Sequence, residues 1–408
     1  MSAPGRNGDG VRRVMYYMGY PQRMAGGNRS MFELVVNLPP RVRPLVVVAG
    51  EGRVVDAFRA AGVEVEVVVP PGGLNRFGRA VLAQSAAGRA RMAVAEAAPF
   101  VLRLRRMIAE RGIDLVHVND VRGAALAAPA ARMAGRPVVA HLRGELPFGR
   151  LGRFLFERSG HRIVTVSEGV RATLSPAGRR RAVTVYNGIR ELPPSPRKLP
   201  WLESLRARGV AVVACFASVV PFKGHHHLVR AAALLNERGW RDRVAFVCVG
   251  DLVAEHGPYR EWVMGTMREL GVDNVTFTGW QDDPFAFYPY ADLTVLPSVT
   301  YERIDLGGGE TIEARGNEGF PRTHLEAMRF GLPIVGTRIA GVPEQVLDGV
   351  TGRVVEPGDP AALADAIEEL LRDPARRREM GERGRERVER LFSTRAYVEG
   401  VLAVYDAL

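Results

Sequence analysis

Glu318-Gly319-Phe320-Pro321-Arg322-Thr323-His324-Leu325-Glu326 sets seven residues between two carboxylates, opens on a glycine and runs into a helix. Gly319 lets the backbone approach a ligand closely, and Pro321 presets the dihedral of a first helical turn. The unpaired amides of such a turn suit a phosphate. A carboxylate beside that phosphate repels it but accepts hydrogen bonds from sugar hydroxyls. Phosphate and hydroxyls together point to a nucleotide-sugar ligand. A structural reading competes: Thr323 and Glu326 form T-x-x-E, a capping box, with Leu325, Met328 and Phe330 as the helix's apolar side. The register has a rival too, since Glu310 precedes Glu318 by eight positions. Only at 318 do a glycine, a proline and a helix start follow the first carboxylate.

Outward from this stretch, strand and helix patterns alternate. Residues 11–17, 45–49, 63–69, 115–118, 138–141, 163–166 and 183–186 are short, β-branched and bounded by Gly, Pro or polar residues. Helical stretches lie between them, among them 30–38, 89–110 and 123–134. Near-continuous apolar strands separated by helices predict a parallel sheet covered on both faces, and right-handed crossovers make it doubly wound. Residues 191–200 hold four prolines and predict a linker, which we extend to 208. A second alternation follows at 210–216, 244–249, 275–278, 293–296, 334–336 and 352–355, and the tail from 360 is helical. The expected fold is α/β: two doubly wound, Rossmann-like domains, 1–190 and 209–390, with 391–408 returning to the first. Strand carboxyl ends, where ligands bind in such sheets, would face each other across a cleft. The polar stretch 299–317, with its Gly-rich tract at 306–310, predicts a mobile lid or a disordered insertion.

Composition bounds the partners. At 408 residues, 47% hydrophobic and 25% charged, two soluble domains are expected. No apolar run reaches the ~18–20 residues of a membrane span. The first ten residues lack a signal-peptide core and read as a disordered lead-in. Cys215 and Cys248 sit in strand patterns and read as buried reduced thiols, which with the other features places the protein in the cytoplasm. Charge is uneven: the first 190 residues carry 30 Arg and no Lys against 13 acids, a balance of +17, while the remainder stands at −6. A basic first half fits an anionic or lipid-linked acceptor, or peripheral contact with an anionic inner membrane face. Phe100 to Met107 is the best basic amphipathic candidate for that contact, with packing inside the domain as the alternative. The excess of 54 Arg over 2 Lys follows mainly from nucleotide composition, and against it Lys223 stands out.

Several smaller signals converge on strand ends. Pro221-Phe222-Lys223-Gly224 follows the strand at 210–216 and opens a helix, adding a positive charge to a phosphate site; a solvated lysine is the plain alternative. Gly26-Gly27-Asn28 precedes a helix start with Ser30 and Glu33 as its capping box. Asn187-Gly188-Ile189 follows a strand, as a site or as a turn. His141 closes the strand at 138–141, where a polar group would point at a ligand or stay structural. The run His225-His226-His227 suggests metal, but consecutive helix residues splay about 100° apart, so no shared ion is expected there.

The order and spacing of these motifs resemble the retaining glycosyltransferases of the large group 1 family (glycosyltransferase family 4), which have the GT-B fold. The resemblance covers most of the chain: the GG loop, Val-Thr-Val-Ser-Glu-Gly-Val at 164–170, Asn-Gly-Ile at 187–189 and Lys-Gly at 223–224. It continues with Phe-Thr-Gly-Trp at 277–280, Pro-Ser at 297–298, the E-x7-E element, Gly-Leu-Pro at 331–333 and Gly-Val-Pro-Glu at 341–344. It implies that Glu326 holds the ribose and Glu318 the donor sugar. It also implies that the turn Gly319-Phe320-Pro321-Arg322, through the N–H groups of its non-proline residues, holds the diphosphate with Lys223. Gly279 and Trp280 would lie beside the base, His141 near the transferred sugar, and Gly26, Gly27 and Asn187 near donor and acceptor. The donor expected is a UDP- or GDP-sugar, with no metal, no further cofactor and no nucleic acid.

Two features depart from the pattern. Ser218 stands where the family usually has an arginine, leaving Arg322, Arg303 or Arg315 to complete the diphosphate clamp, and 299–317 lengthens the step from Pro-Ser to Glu318. A nucleotide-sugar 2-epimerase of the same fold and a non-enzymatic polyanion binder are the alternatives. A dehydrogenase is disfavoured because no strand is followed by G-x-G-x-x-G.

Overall fold

The computed structural model describes residues 11–408 apart from 23, 25, 76–87, 89–91, 145, 147, 148, 193, 194 and 317. The lead-in expected over the first ten residues lies outside the described set. The chain forms two compact units, one running to Gly188 and including Thr394–Leu408, the other Ile189–Ser393.

In the first unit, strands β1 (Arg12–Met18), β2 (Val42–Val48), β3 (Glu64–Val67), β4 (Leu115–Val118), β5 (Val138–Leu142), β6 (Arg162–Thr165) and β7 (Ala182–Thr184) make one sheet. Its order is β3-β2-β1-β4-β5-β6-β7. Every pair is parallel. Strand order reverses between β1 and β4, and that crevice is where a doubly wound sheet receives a ligand. β1 is central, so its side chains are covered on both faces: Val14, Met15, Tyr16, Tyr17 and Met18 are fully buried. The helix Thr394–Asp406 packs Tyr397, Val401 and Tyr405 into the same core.

The helix Ala98–Glu110 turns Phe100, Leu104, Met107 and Ile108 inward. The packing alternative for 100–107 therefore holds, and the apolar side offered to a membrane is spent inside the unit. The GG pair does not precede its helix but forms the first turn of Gly26–Val36. Ser30 and Glu33 consequently fall inside that helix and are buried, so the expected capping box does not form.

In the second unit, β8 (Ala211–Phe216), β9 (Val244–Val249), β10 (Val275–Phe277), β11 (Leu293–Leu296), β14 (Ile334–Thr337) and β15 (Gly352–Val355) form a second parallel sheet. Its order is β10-β9-β8-β11-β14-β15, with the reversal between β8 and β11. Cys215 and Cys248 face each other across β8 and β9 as free, buried thiols. Residues 200–207, within the expected linker, form the helix Pro200–Ala207.

Over the described residues 299–316, the stretch read as a lid or a disordered insertion is regular structure. It is an antiparallel hairpin of β12 (Tyr301–Gly307) and β13 (Glu310–Arg315). Ile304 and Ala314 are buried with Val219, Val229, Tyr259, Val263 and Val299, which fastens one face of the hairpin to the unit. Gly307, Gly308 and Gly309 take positive φ at its turn, a conformation that costs glycine little. Among the described residues no helix is long and apolar enough to cross a membrane.

Candidate active site

The second unit gathers its polar side chains at the β8/β11 reversal. After β8 the chain makes the tight 3₁₀ turn Pro221–Lys223, and Gly224, with φ 71°, launches the helix His225–Leu235. Lys223 Nζ ion-pairs with Glu318 Oε1, and Ser298 Oγ, just past β11, donates to the same oxygen at 2.8 Å. Ser298 is itself placed by Thr337 Oγ1, which donates to its carbonyl at 2.6 Å from the end of β14. Burial pushes the Glu318 carboxyl up, but Lys223 and Ser298 outweigh it and hold the group below its usual range. An ionised carboxylate is thus kept inside the unit, satisfied by two donors from two strand ends.

The helix Arg322–Arg329 is capped by Pro321 with no side-chain hydrogen bond, so Thr323 lies inside it and the capping-box reading of Glu326 fails. Glu326 instead accepts from Tyr288 Oη at 2.9 Å, and Arg322 Nε lies 3.9 Å from its other oxygen. Tyr288 is held between Phe216 and Phe330, with ring centroids 3.8 and 4.8 Å away and near-parallel planes. That stack gives Glu326 a rigid backing. Gly319 and Phe320 are buried beside these groups. His324 Nδ1 contacts Gln345 Oε1 at 3.0 Å, and Gln345 Nε2 donates to the Pro321 carbonyl at 2.9 Å, which locks the helix start in place. Of the arginines available to offset Ser218, Arg322 is drawn to the site, while Arg303 and Arg315 lie on the exposed hairpin. Gly279 takes φ 71° with open space around its α-carbon, and Trp280 is half exposed next to it.

The first unit assembles a polar cluster around a residue that sequence reasoning did not single out. Arg143, two positions past His141, donates from Nε to Asn119 Oδ1 at 2.5 Å and from Nη1 to Asn187 Oδ1 at 2.9 Å. Its Nη2 donates to Tyr397 Oη at 3.2 Å. A Cβ on Gly27 would come within 3.1 Å of Arg143 Cδ, so the helix turn lies directly on this side chain; Gly26 has open space instead. Gly27, His141 and Asn187 are thereby brought together through Arg143. Arg143 carried one sequence signal, its place just beyond a strand's carboxyl end, but an Arg-rich chain hid it. His141 Nδ1 meets His117 Nε2 at 3.1 Å, and His117 Nδ1 meets Tyr405 Oη at 2.5 Å. His141 Nε2 is buried with no hydrogen-bond partner among the described residues. Burial first, then the Arg143 charge, pushes the His141 pKa well down, so the ring is neutral at pH 7.

Buried neutral histidines make acid stability predictable. Burial lowers the His324 pKa to about 4 against the opposing pull of Glu318, and burial with Arg143 lowers that of His117 to about 3. Their unfolded-state value is near 6.5, so below that pH the unfolded chain binds more protons than the folded one. Stability should therefore be full above pH 6.5 and fall by about 1.4 kcal/mol per pH unit per histidine towards pH 4. Urea midpoints at pH 7 and pH 5 check this, and His324→Gln should lessen the difference. An equal difference in that variant would show that His324 is not held neutral.

In the histidine run, neighbouring side chains converge although adjacent helix positions splay. His226 Nε2 and His227 Nε2 both reach Glu302 Oε2, at 3.1 and 2.8 Å. The 100° splay does not keep them apart, because both rings tilt toward the hairpin and their centroids close to 4.0 Å.

Comparison with known proteins places these features. Residues 203–387 match the family described as glycosyl transferases group 1, and residues 52–191 match glycosyltransferase family 4. A GDP-mannose-dependent alpha-(1-6)-phosphatidylinositol monomannoside mannosyltransferase of Mycolicibacterium smegmatis is 32% identical over 304 residues, covering 69% of this chain and 74% of that protein. A D-inositol 3-phosphate glycosyltransferase of Corynebacterium aurimucosum is 34% identical over 175 residues, 42% of this chain and 37% of that protein. Among solved structures, Anabaena HepE in complex with UDP-glucose superposes with a TM-score of 0.77 at 20% identity, over 97% of this chain and all of that one. That likeness shows the fold: two Rossmann-like domains of the GT-B type.

Proposed function

This chain belongs to the group 1 glycosyltransferases, glycosyltransferase family 4, and on that premise we propose that it moves a sugar, with retention, from a nucleoside-diphosphate sugar to an anionic, lipid-linked acceptor. The observation that carries the reading is the Lys223–Glu318–Ser298 cluster at the β8/β11 reversal, with Glu326 and Arg322 on the adjoining helix. Glu326, oriented by Tyr288, accepts from the ribose hydroxyls. Glu318 accepts from hydroxyls of the donor sugar. Lys223 and Arg322, with the amides of the Gly319–Arg322 turn, take the diphosphate.

Transfer breaks the bond between the sugar's anomeric carbon and the diphosphate oxygen, so negative charge builds on the leaving group. Cationic side chains placed there stabilise the transition state more than the ground state and supply what a metal ion otherwise would. The acceptor's proton passes to the departing phosphate, so no side chain serves as base. Neutral His141, with Nε2 unpartnered, is suited to a hydroxyl of the transferred sugar.

GDP-mannose is the favoured donor, supported by the mannosyltransferase relative, whose name also describes a phosphoinositide acceptor. The +17 balance of the first 190 residues suits the same acceptor class, and the reading places the enzyme at the inner face of the membrane. Thermal shift of the purified protein with GDP-mannose and with UDP-, ADP- and TDP-sugars tests the donor, because a ligand bound only by the folded state raises its melting temperature. Transfer to phosphatidylinositol vesicles should drop steeply between low and moderate salt as screening shortens. A flat salt response would remove the anionic acceptor, and sugar release or epimerisation without any acceptor would remove the transferase.

Glu326→Gln should weaken donor binding by ~1.5–3 kcal/mol, the range for hydrogen bonds to a charged group, with little change in melting temperature. Calorimetric titration with the donor decides it. A variant that loses stability but keeps donor affinity would reduce Glu326 to a structural partner of Tyr288.

A further inference from the structure

Outside the residues assigned to the donor, the described residues of the second unit hold one more convergence of coordinating side chains. His226 and His227 open the helix His225–Leu235, and Glu302 lies on β12. One donor atom from each of the three lies within 4.8 Å of the other two. Both imidazole Nε2 atoms already point at one carboxylate oxygen, at 3.1 and 2.8 Å. Around a tetrahedral ion with bonds near 2.0–2.1 Å, neighbouring donors sit about 3.3 Å apart, so the three need shift little to take one.

The surroundings resemble the outer shell of a metal centre. Tyr259 Oη lies 2.9 Å from His226 Nδ1 and fixes that ring, as second-shell partners of ligating histidines do. His227 is buried, and its Nδ1 has no hydrogen-bond partner among the described residues. The ring of Trp262 lies 5.6 Å from that of His226, walling one side with apolar surface. The Glu302 side chain is 27% exposed, which leaves an entry path and room for water as a further ligand.

We propose that His226, His227 and Glu302 form a site for a borderline-soft divalent cation, zinc in the first instance, that clamps the 301–315 hairpin to the helix following Lys223. Two neutral imidazoles and one carboxylate are a donor set suited to zinc and poorly suited to magnesium or calcium, which prefer oxygen ligands. In the ion-free site each Nε2–H donates to Glu302; on binding, each ring shifts to the Nδ1–H tautomer, freeing the Nε2 lone pair for the ion, and His226 Nδ1–H then donates to Tyr259 Oη.

The position gives the clamp a purpose. His226 lies three residues after Lys223. The hairpin begins three residues after Ser298 and ends three before Glu318, so it is spliced between two members of the Lys223–Glu318–Ser298 cluster. The Val299 amide donates to the Phe222 carbonyl at 2.8 Å, and a Cβ on Gly316 would overlap the Phe222 ring. An ion holding Glu302 to the helix would fix both sides of that cluster without touching the donor. The site is structural, separate from the transfer chemistry, and stands whatever sugar is moved.

Titration of the full, chelator-stripped chain with Zn²⁺, by calorimetry and in competition with a chromophoric chelator, tests this. One ion per chain is expected, with a rise in melting temperature. Glu302→Gln and His227→Asn should each weaken binding at least tenfold and abolish that rise, while His161→Asn, an exposed histidine of the first unit, should bind as the wild type does. Stoichiometry well below one, or full binding in Glu302→Gln and His227→Asn, overturns the proposal. Should those variants fail to fold, Co²⁺-loaded wild type decides. Nitrogen and oxygen ligation with metal-shifted histidine Nε2 resonances upholds the site, and a thiolate charge-transfer band assigns the ion to Cys215 or Cys248 and overturns it.

Discussion

Lys223→Ala is expected to lower kcat/KM for sugar transfer by about 10²–10³-fold, comparable to deleting one preorganised electrostatic contact to a developing charge. The magnitude follows from how few cations the site has. Ser218 leaves the end of β8 without an arginine, and Arg322 is drawn toward Glu326. On the proposed reading, Lys223 would therefore supply a large share of the charge facing a leaving diphosphate. Affinity for the bare nucleoside should change far less than turnover, because the interaction strengthens only as the bond to the sugar breaks. Steady-state kinetics set beside calorimetric binding of GDP separate the two quantities. The variant also strips Glu318, a buried carboxylate, of its counter-charge and leaves it Ser298 alone. Some stability should be lost with the activity, so Lys223→Arg is the needed companion: it restores charge in a different shape and should recover stability more fully than rate. Turnover unchanged in Lys223→Ala would move the diphosphate clamp to Arg322 and remove Lys223 from the mechanism.

The two parallel sheets were legible because burial on both faces leaves a plain mark, as in Val14-Met15-Tyr16-Tyr17 and Val244-Ala245-Phe246-Val247, where no alternation interrupts the apolar run. The hairpin was not legible for the opposite reason. Its apolar positions, Ile304 and Leu306 on β12 and Ile312 and Ala314 on β13, alternate correctly. Only one face is buried, however, and the acidic and basic residues between them, with three consecutive glycines, read as a solvated loop. The Ser30–Glu33 capping box was misplaced, and the rival Thr323–Glu326 box fails, because a four-residue pattern fixes no register. Gly26 begins its helix four residues before Ser30, and Pro321 starts the later helix before Thr323, so both pairs fall inside helices that start upstream. Partners distant in sequence were beyond reach altogether. Nothing local ties Tyr288 to Glu326, Arg143 to Asn119 and Asn187, or Glu302 to His226 and His227; only the folded sheets and the docked hairpin bring them together.

Gly224→Ala is expected to destabilise the chain by roughly 3 kcal/mol or more, and to lower transfer in whatever fraction still folds. Two costs act at one residue. The backbone is left-handed, with φ 71°, which an alanine adopts at roughly 1–2 kcal/mol. The added Cβ would also lie 1.9 Å from the carbonyl oxygen of Pro297, so backbone, not a pliable side chain, must move, adding an overpacking cost of ~1–3 kcal/mol. What moves is the machinery of the site: Lys223 precedes Gly224, and Ser298 follows Pro297. Separating these two backbone segments pulls both donors away from Glu318. Gly239→Ala is the matched control, since Gly239 has φ 86° but nothing within 4 Å of an added Cβ. Its loss should be confined to the backbone cost. Urea unfolding of the two variants measures the difference directly. Equal losses would mean that the chain relaxes freely around Pro297 and that the close approach of the two strand-end segments contributes nothing to holding Lys223 and Ser298 on one carboxylate.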